Sequence, residues 1–344
     1  MRTLRLSDLR FFVAWFLPAL LLSNVLLHPH EAAIGALVIW FGVALVDAYW
    51  PGADRSPPPS GSQPWLVAIL RGYVALQAVV LVAGLIQARE VPWMDVAGLA
   101  FAVGFMTGAQ CITFAHELGH SRSLFDRTLG WLLTASVNYS HFMVEHYRGH
   151  HPRAATFDDP ASARMGESLW RFLPRTLAGS FVNAWRLEAT QLRRLNKGWM
   201  ASPLAWASAA NLLIVATLAA LQQWKMLAFW LGQSAFAIWL LEAVNYIEHY
   251  GLARRKTASG ASEPFGVMHA WNADHVVSNS MLANLQRHSD HHTKAWKPYP
   301  ELEALPGPQL PTGYAGCLLL AAVPPVWFAV MHPRLQSVAT AAAG

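Results

Sequence analysis

Charge is scarce in this chain of 344 residues: Asp, Glu, Lys and Arg together make up 13% of it, about half the usual share of a soluble domain. With 54% hydrophobic residues and a mean hydropathy of +0.27, that shortage excludes a water-soluble globular protein and a disordered one. Cysteine is nearly absent. Cys111 and Cys317 stand alone, which rules out a disulfide framework, a CxxC redox pair and a rubredoxin-type iron site. No GxGxxG follows a strand-like run, so the chain carries no recognisable electron carrier of its own. Linkers and internal repeats are lacking too. The one linker-like stretch is 51–64, which contains Pro57, Pro58, Pro59, Ser60, Gly61 and Ser62 and reads as a periplasmic connection. A single membrane domain over 1–344 is the result.

Long apolar runs are what the chain has in place of charge. Runs able to cross roughly 30 Å of hydrocarbon fall at about 11–27, 32–50, 65–87, 95–115, 203–223 and 226–247, which predicts an all-α integral membrane protein with six spans. The first run follows Arg2, Arg5 and Arg10 but contains Pro18 and leads to His28, Pro29, His30 and Glu31. It reads as an uncleaved helix paired with the second run, not as a signal peptide. Pro324 and Pro325 interrupt a further apolar stretch, 313–331, which is expected to be interfacial or re-entrant and not a seventh span. Arg2, Arg5 and Arg10 before the first span, Arg122 and Arg127 after the fourth, and Arg254, Arg255 and Lys256 after the sixth place both termini and the segments 116–202 and 248–312 in the cytoplasm by the positive-inside rule.

Histidine is the feature that points to chemistry. His116 and His120, His146 with His150 and His151, His249, and His288 with His291 and His292 all fall on that same side. Nine imidazoles exceed what one four-coordinate ion uses, so two metal ions are expected. His116/His120, His146/His150 and His288/His292 have i, i+4 spacing, which stacks two rings on one helical face where they can pinch a metal. Within the doublets His150–His151 and His291–His292 adjacent rings point about 100° apart, so each doublet should splay, one ring toward each metal. Glu117, Glu145, Glu248 and Asp290 flank the ligands and are candidate acceptors for imidazole N–H groups. An all-imidazole set suits zinc, copper, nickel or iron; the ligand number and apolar surroundings favour a redox-active iron pair.

Two competing readings follow from the same residues. His116-Glu117-Leu118-Gly119-His120 satisfies the HExxH pattern of zinc proteases, with Glu117 as general base, but such a site needs one more ligand and leaves the remaining histidines without a purpose. A metal transporter should place ionisable residues near the bilayer midplane, whereas here histidine gathers at one rim.

The strings Glu145-His146-Tyr147-Arg148-Gly149-His150-His151, Asn245-Tyr246-Ile247-Glu248-His249-Tyr250-Gly251 and Leu285-Gln286-Arg287-His288-Ser289-Asp290-His291-His292, together with His116 to His120, resemble the motifs of the membrane-bound alkane 1-monooxygenases. These are related to xylene methyl-monooxygenases and, more distantly, to fatty-acid desaturases and hydroxylases. Similarity extends to Asp159-Pro160-Ala161-Ser162, Arg164 to Ser168 and Trp271 to Asn279. The resemblance implies a six-helix bundle in the bacterial inner membrane, with two iron ions (Fe2+/Fe3+) bound by the nine histidines and O2 as co-substrate. It also implies a terminal-methyl hydroxylation supplied with electrons by rubredoxin and a flavin-dependent NAD(P)H rubredoxin reductase. Trp40 matches the family's chain-length-limiting tryptophan. Arg148, Arg153, Arg193, Arg194 and Lys197 could steer an acidic redox partner. Ser121, where alkane hydroxylases commonly carry lysine, and the stretch Ala154 to Asp158 depart from the pattern and leave an aryl-methyl or desaturase-like substrate as the alternative.

Overall fold

The computed structural model describes residues 6–50 and 64–341, and their regular structure is helical. The linker-like stretch 51–64, except Pro64, and the first two arginines lie outside the described residues. A 3-10 turn, Leu6–Trp15, leads into α1 (Phe16–Leu27) and α2 (Ala32–Tyr49), followed by α3 (Pro64–Glu90), α4 (Trp93–Met106), α5 (Ile112–His120) and α6 (Leu124–Ser136). The short helices α7 (Phe142–Glu145) and α8 (His151–Arg153) precede α9 (Leu169–Arg194), α10 (Pro203–Ala220) and α11 (Trp224–His249). Next come α12 (Val276–Met281), α13 (His288–Thr293), α14 (Tyr314–Ala321) and α15 (Pro324–Ala341).

Six segments among the described residues are long and apolar enough to span a bilayer: Asp8–Leu27, Pro29–Tyr49, Trp65–Glu90, Trp93–His120, Pro203–Ala220 and Trp224–His249. Two of them run further than hydropathy indicates. The fourth reaches His120 because the π turn Thr107–Cys111 joins α4 to α5 without a break, and the sixth carries the helix through His249. Histidine lowers the hydropathy of a span's end without stopping its helix, so both spans carry histidines at their tips.

The bundle is tightest between α4 and α11. A Cβ at Gly104 would stand 2.7 Å from the Gln233 carbonyl oxygen, and one at Gly108 would stand 2.8 Å from Cβ of Leu240. Small residues one turn apart let the two backbones approach where lipid offers no hydrophobic driving force. Thr107 Oγ1, donating to Gln233 Oε1 at 3.1 Å, ties the same seam.

Helix α9 behaves differently from the spans. Phe172, Thr176, Ser180, Ala184 and Glu188 are buried at helical spacing while arginines occupy the other faces, so it packs as an amphipathic helix against α7 and α11. At the C-terminal end, α14 and α15 meet at 119°. Pro324 opens α15, a position where the missing N–H is no loss, and it cannot continue α14. The stretch 313–331 therefore turns back on itself, with α14 buried against α2 and α11.

Candidate metal centre

The ends of α5 and α11, the segment from α7 to α8, and α13 bring all nine histidines together. Their ring nitrogens form two groups: His116, His120, His146, His151 and His291 in one, and His150, His249, His288 and His292 in the other, each with ligand atoms within 4.8 Å of one another. Nε2 atoms face each other at 2.8 Å (His116–His291), 3.1 Å (His120–His151), 3.3 Å (His151–His291), 3.1 Å (His249–His288) and 3.2 Å (His150–His292). The groups are side by side, with the rings of His151 and His292 4.6 Å apart.

The doublets divide as their angular separation requires: His151 and His291 join one group, His150 and His292 the other. The i, i+4 pairs His116/His120 and His288/His292 stay together, but His146 and His150 part company. The expectation that this third pair pinches one metal is corrected by a local feature, the π turn His146–His150, in which the His151 N–H bonds to the His146 carbonyl. Bonding five residues back brings the ring of His151, not that of His150, into one group with His146, the two meeting edge to face at 4.5 Å.

Of the four flanking acids, Glu248 lies closest to a ring nitrogen. Its Oε1 is 3.3 Å from Nδ1 of His288 and accepts from the Tyr314 hydroxyl at 2.7 Å. Glu117 accepts from the Tyr299 backbone N–H at 3.1 Å, a placement that does not suit the general base of a zinc protease. Glu145 is bonded to Arg153, at 3.0 Å, and to Asn183. Asp290 takes the Lys297 ammonium at 2.7 Å and the Glu303 N–H at 2.8 Å. The acid that sequence reasoning missed is Asp159: its Oδ2 is 2.9 Å from Nδ1 of His150, and it is oriented by Ser162 Oγ at 2.6 Å and the Ala161 N–H at 3.2 Å. The segment Asp159-Pro160-Ala161-Ser162 is the signal that could have found it, since an Asp–Ser pair around proline is a turn that orients its own carboxylate.

Protonation states follow from these contacts. Burial and the neighbouring imidazoles push His146, His151, His288, His291 and His292 well below their ordinary value, so these rings are neutral, the form that binds metal. Burial alone would raise the Asp159 carboxyl, but the His150 ring and Ser162 more than offset it and hold it below the usual carboxylate range. Burial pushes Glu145 up to about 7, against the opposing effects of Asn183 and Arg153.

The donor set fits metal ions. A carboxylate or carbonyl can only accept, so His150 presents N–H at Nδ1 to Asp159, and His249 presents its own to the His269 carbonyl at 3.4 Å. That leaves the Nε2 lone pairs of His249 and His150 bare, 3.1 Å from Nε2 of His288 and 3.2 Å from Nε2 of His292, close approaches that a cation between the nitrogens accounts for. Ligand bonds of about 2.1 Å at right angles place two nitrogens about 3 Å apart. His146 Nε2, buried with no hydrogen-bond partner, is accounted for in the same way.

An apolar cavity of about 60 Å³, lined among others by Leu17, Trp40, Phe105, Leu240 and Leu318, lies within the bundle. A second, of about 30 Å³, shares Thr113, Val244 and Leu285 with it and reaches His116, His146 and His288. Trp40 therefore faces inward and not toward lipid: it is 7% exposed, stacks on Phe105 at 5.5 Å and donates Nε1–H to the Ala315 carbonyl at 3.1 Å. Among the five basic residues, Arg148 and Arg153 are engaged by Glu188 and Glu145, while Arg193, Arg194 and Lys197 are exposed.

Comparison with known proteins agrees with this architecture. Residues 92–318 match the family described as fatty acid desaturase. Alkane 1-monooxygenase 1 of Pseudomonas aeruginosa is 38% identical over 326 residues, 90% of this chain and 85% of that protein. Alkane 1-monooxygenase 2 of the same organism is 43% identical over 262 residues, 74% and 69% of the two chains. The xylene/toluene monooxygenase hydroxylase component XylM of Pseudomonas putida is 28% identical over 250 residues, 71% and 65%. This integral membrane chain belongs to the alkane 1-monooxygenases of the fatty acid desaturase family.

Proposed function

We propose that the protein is a di-iron membrane monooxygenase that converts the terminal methyl group of alkanes to 1-alkanols: RCH3 + O2 + 2e− + 2H+ gives RCH2OH + H2O. The observation that carries this reading is the pair of apolar cavities running from Trp40 to three of the histidines. His116, His120, His146, His151 and His291 hold one iron, and His150, His249, His288 and His292 hold the other. When bound, the iron pair supplies the reductive activation of O2 that allows oxygen to enter a C–H bond. The chain's own residues do the rest. Asp159 fixes the tautomer and orientation of His150, as acceptors behind metal-binding imidazoles do, and Glu248 sets a carboxyl group beside His288. Leu17, Phe105, Leu240 and Leu285 bury the hydrocarbon, and Trp40 closes the cavity and limits chain length. The neighbourhood of Thr113, Val244 and Leu285 holds the reacting end against the metal-facing rings.

Electrons come from rubredoxin, reduced in turn by a flavin-dependent NAD(P)H reductase, and the exposed Arg193, Arg194 and Lys197 suit an acidic partner. The location is the bacterial inner membrane with both termini cytoplasmic, in line with the charges that flank the spans. Membranes containing the protein, supplied with rubredoxin, its reductase and NADH, should turn octane into 1-octanol, and metal analysis should find two irons per chain. Oxidation of xylene but not of octane would transfer the assignment to an aryl-methyl monooxygenase; an internal alcohol as sole product would refute terminal selectivity.

A further inference from the structure

The hydrocarbon-lined cavities leave one requirement unmet. The reaction consumes two protons per turnover, and the one carboxyl group in their walls, Glu248, already holds the Tyr314 hydroxyl at 2.7 Å. A separate, polar cavity of about 20 Å³ touches the metal centre from another side, where Tyr139, His141, Glu145 and Glu242 meet the rings of His146 and His150. Its volume exceeds the roughly 10–15 Å³ that a single water requires, and it has the polar partners such a water needs.

Glu242 is the unusual member of this cavity. It lies on α11 within a membrane span, about 10 Å along the helix before His249, and is 2% exposed. Its carboxyl group accepts from the Tyr139 hydroxyl at 2.6 Å, Thr176 Oγ1 at 2.8 Å and Asn245 Nδ2 at 3.2 Å. All three donors are neutral, and among the described residues no lysine or arginine forms an ion pair with it. A buried acid inside a span with no cation to offset it is costly to keep and marks a functional position. A second observation points to the same place: His141, 8% exposed, lines the cavity with an Nε2 that has no hydrogen-bond partner. The other titratable groups facing the cavity are Tyr139 from the loop after α6, Glu145 from α7, and His146 and His150 from the π turn; α9 contributes the uncharged Thr176 and Ser180.

We propose that Glu242 is a proton-relay residue, passing protons through this water-sized cavity to the metal centre while substrate occupies the apolar cavity. The inference rests on the monooxygenase reading above. In each turnover the O–O bond and one C–H bond break and a C–O bond and O–H bonds form. The two electrons come from the external donor, and the two protons pass by way of Glu242. Solvent replaces each of them past Asn183 and Arg153, which are partly exposed at the Glu145 wall, so Glu242 ends the cycle unchanged.

The test compares wild type, Glu242→Gln and Glu242→Asp in the full chain, loaded with iron and supplied with rubredoxin, its reductase, NADH and octane. Glu242→Gln should keep both metal ions but lose at least about tenfold in turnover, the lower side of what a positioned acid supplies. It should also show a larger solvent deuterium isotope effect and divert electrons to hydrogen peroxide, while Glu242→Asp recovers much of the activity. In the metal-free protein, infrared spectra should contain a protonated-carboxyl band that shifts in deuterium oxide and is missing from Glu242→Gln. If Glu242→Gln fails to load metal, Tyr139→Phe serves instead and should raise the isotope effect at full metal content. Wild-type turnover with an unchanged isotope effect in the variant that loads metal overturns the relay alone. The absence of any octanol from the wild type overturns the monooxygenase reading and the relay together.

Discussion

Asp159→Asn distinguishes the acid that the structure sets behind a ligand from those that merely neighbour ligands in sequence. Asp159 is buried, with one oxygen shared by His150 Nδ1 and Ser162 Oγ and the other taken by the Ala161 N–H. An amide in its place turns a donor toward one of these donors. Turned to His150, it forces the ring proton onto Nε2, the atom that faces His292 at 3.2 Å, and removes a metal ligand. Turned to Ala161, it orphans a backbone N–H and leaves His150 a neutral acceptor, roughly half as strong as the carboxylate. Either arrangement weakens one metal group, and changes of this kind typically lower affinity roughly 10–100-fold, about 1.4–2.7 kcal/mol. Chelator competition with metal analysis should therefore show the four-histidine group emptying first, at a chelator concentration that leaves the five-histidine group loaded. Glu117→Gln, whose amide oxygen can still accept from Tyr299, should follow the wild-type curve. Superimposable curves for Asp159→Asn and wild type, or equal loss of both metals, would refute the reasoning.

His249→Ala should lower metal content at the four-histidine group and abolish turnover; full occupancy with normal turnover would remove it from the ligand set. Trp40→Ser should move a mixed-alkane product profile toward longer chains, at a stability cost of about 3–5 kcal/mol for losing a buried tryptophan, and an unchanged profile would show that Trp40 does not limit the cavity. Acid should destabilise the metal-free protein. The folded values of His146, His151, His288, His291 and His292 lie below the unfolded value of about 6.5, so the unfolded chain takes up protons first and stability is lost as pH falls from about 6.5 toward those folded values. Glu145, raised to about 7, acts in the opposite sense, one group against five. A melting temperature that holds constant or rises on acidification below about pH 6.5 would contradict this sign.

The spans, the helical class and the histidine inventory were legible in the sequence because each rests on local properties: the length of an apolar run, the angular step between adjacent residues, and the donor chemistry of imidazole. The split of His150–His151 and of His291–His292 followed from that step alone. What failed was the assumption of one helical period. The π turn at His146–His150 changes the register by one residue and exchanges His150 for His151 as the partner of His146, and a string containing i, i+4 and i, i+5 histidines does not say which spacing the backbone adopts.

Other features depend on residues far apart in the chain. Glu248 lies near His288 only because α11 ends beside α13, Trp40 faces inward because α14 folds back against α2, and Glu242 meets Tyr139 and Thr176 across three separate segments. Sequence alone determined which histidines are the candidate ligands and on which side of the membrane they are expected. Tertiary structure decided how nine rings divide into five and four, which acid stands behind His150, and where polar and apolar cavities reach the site, because these depend on distances between segments that no local pattern encodes.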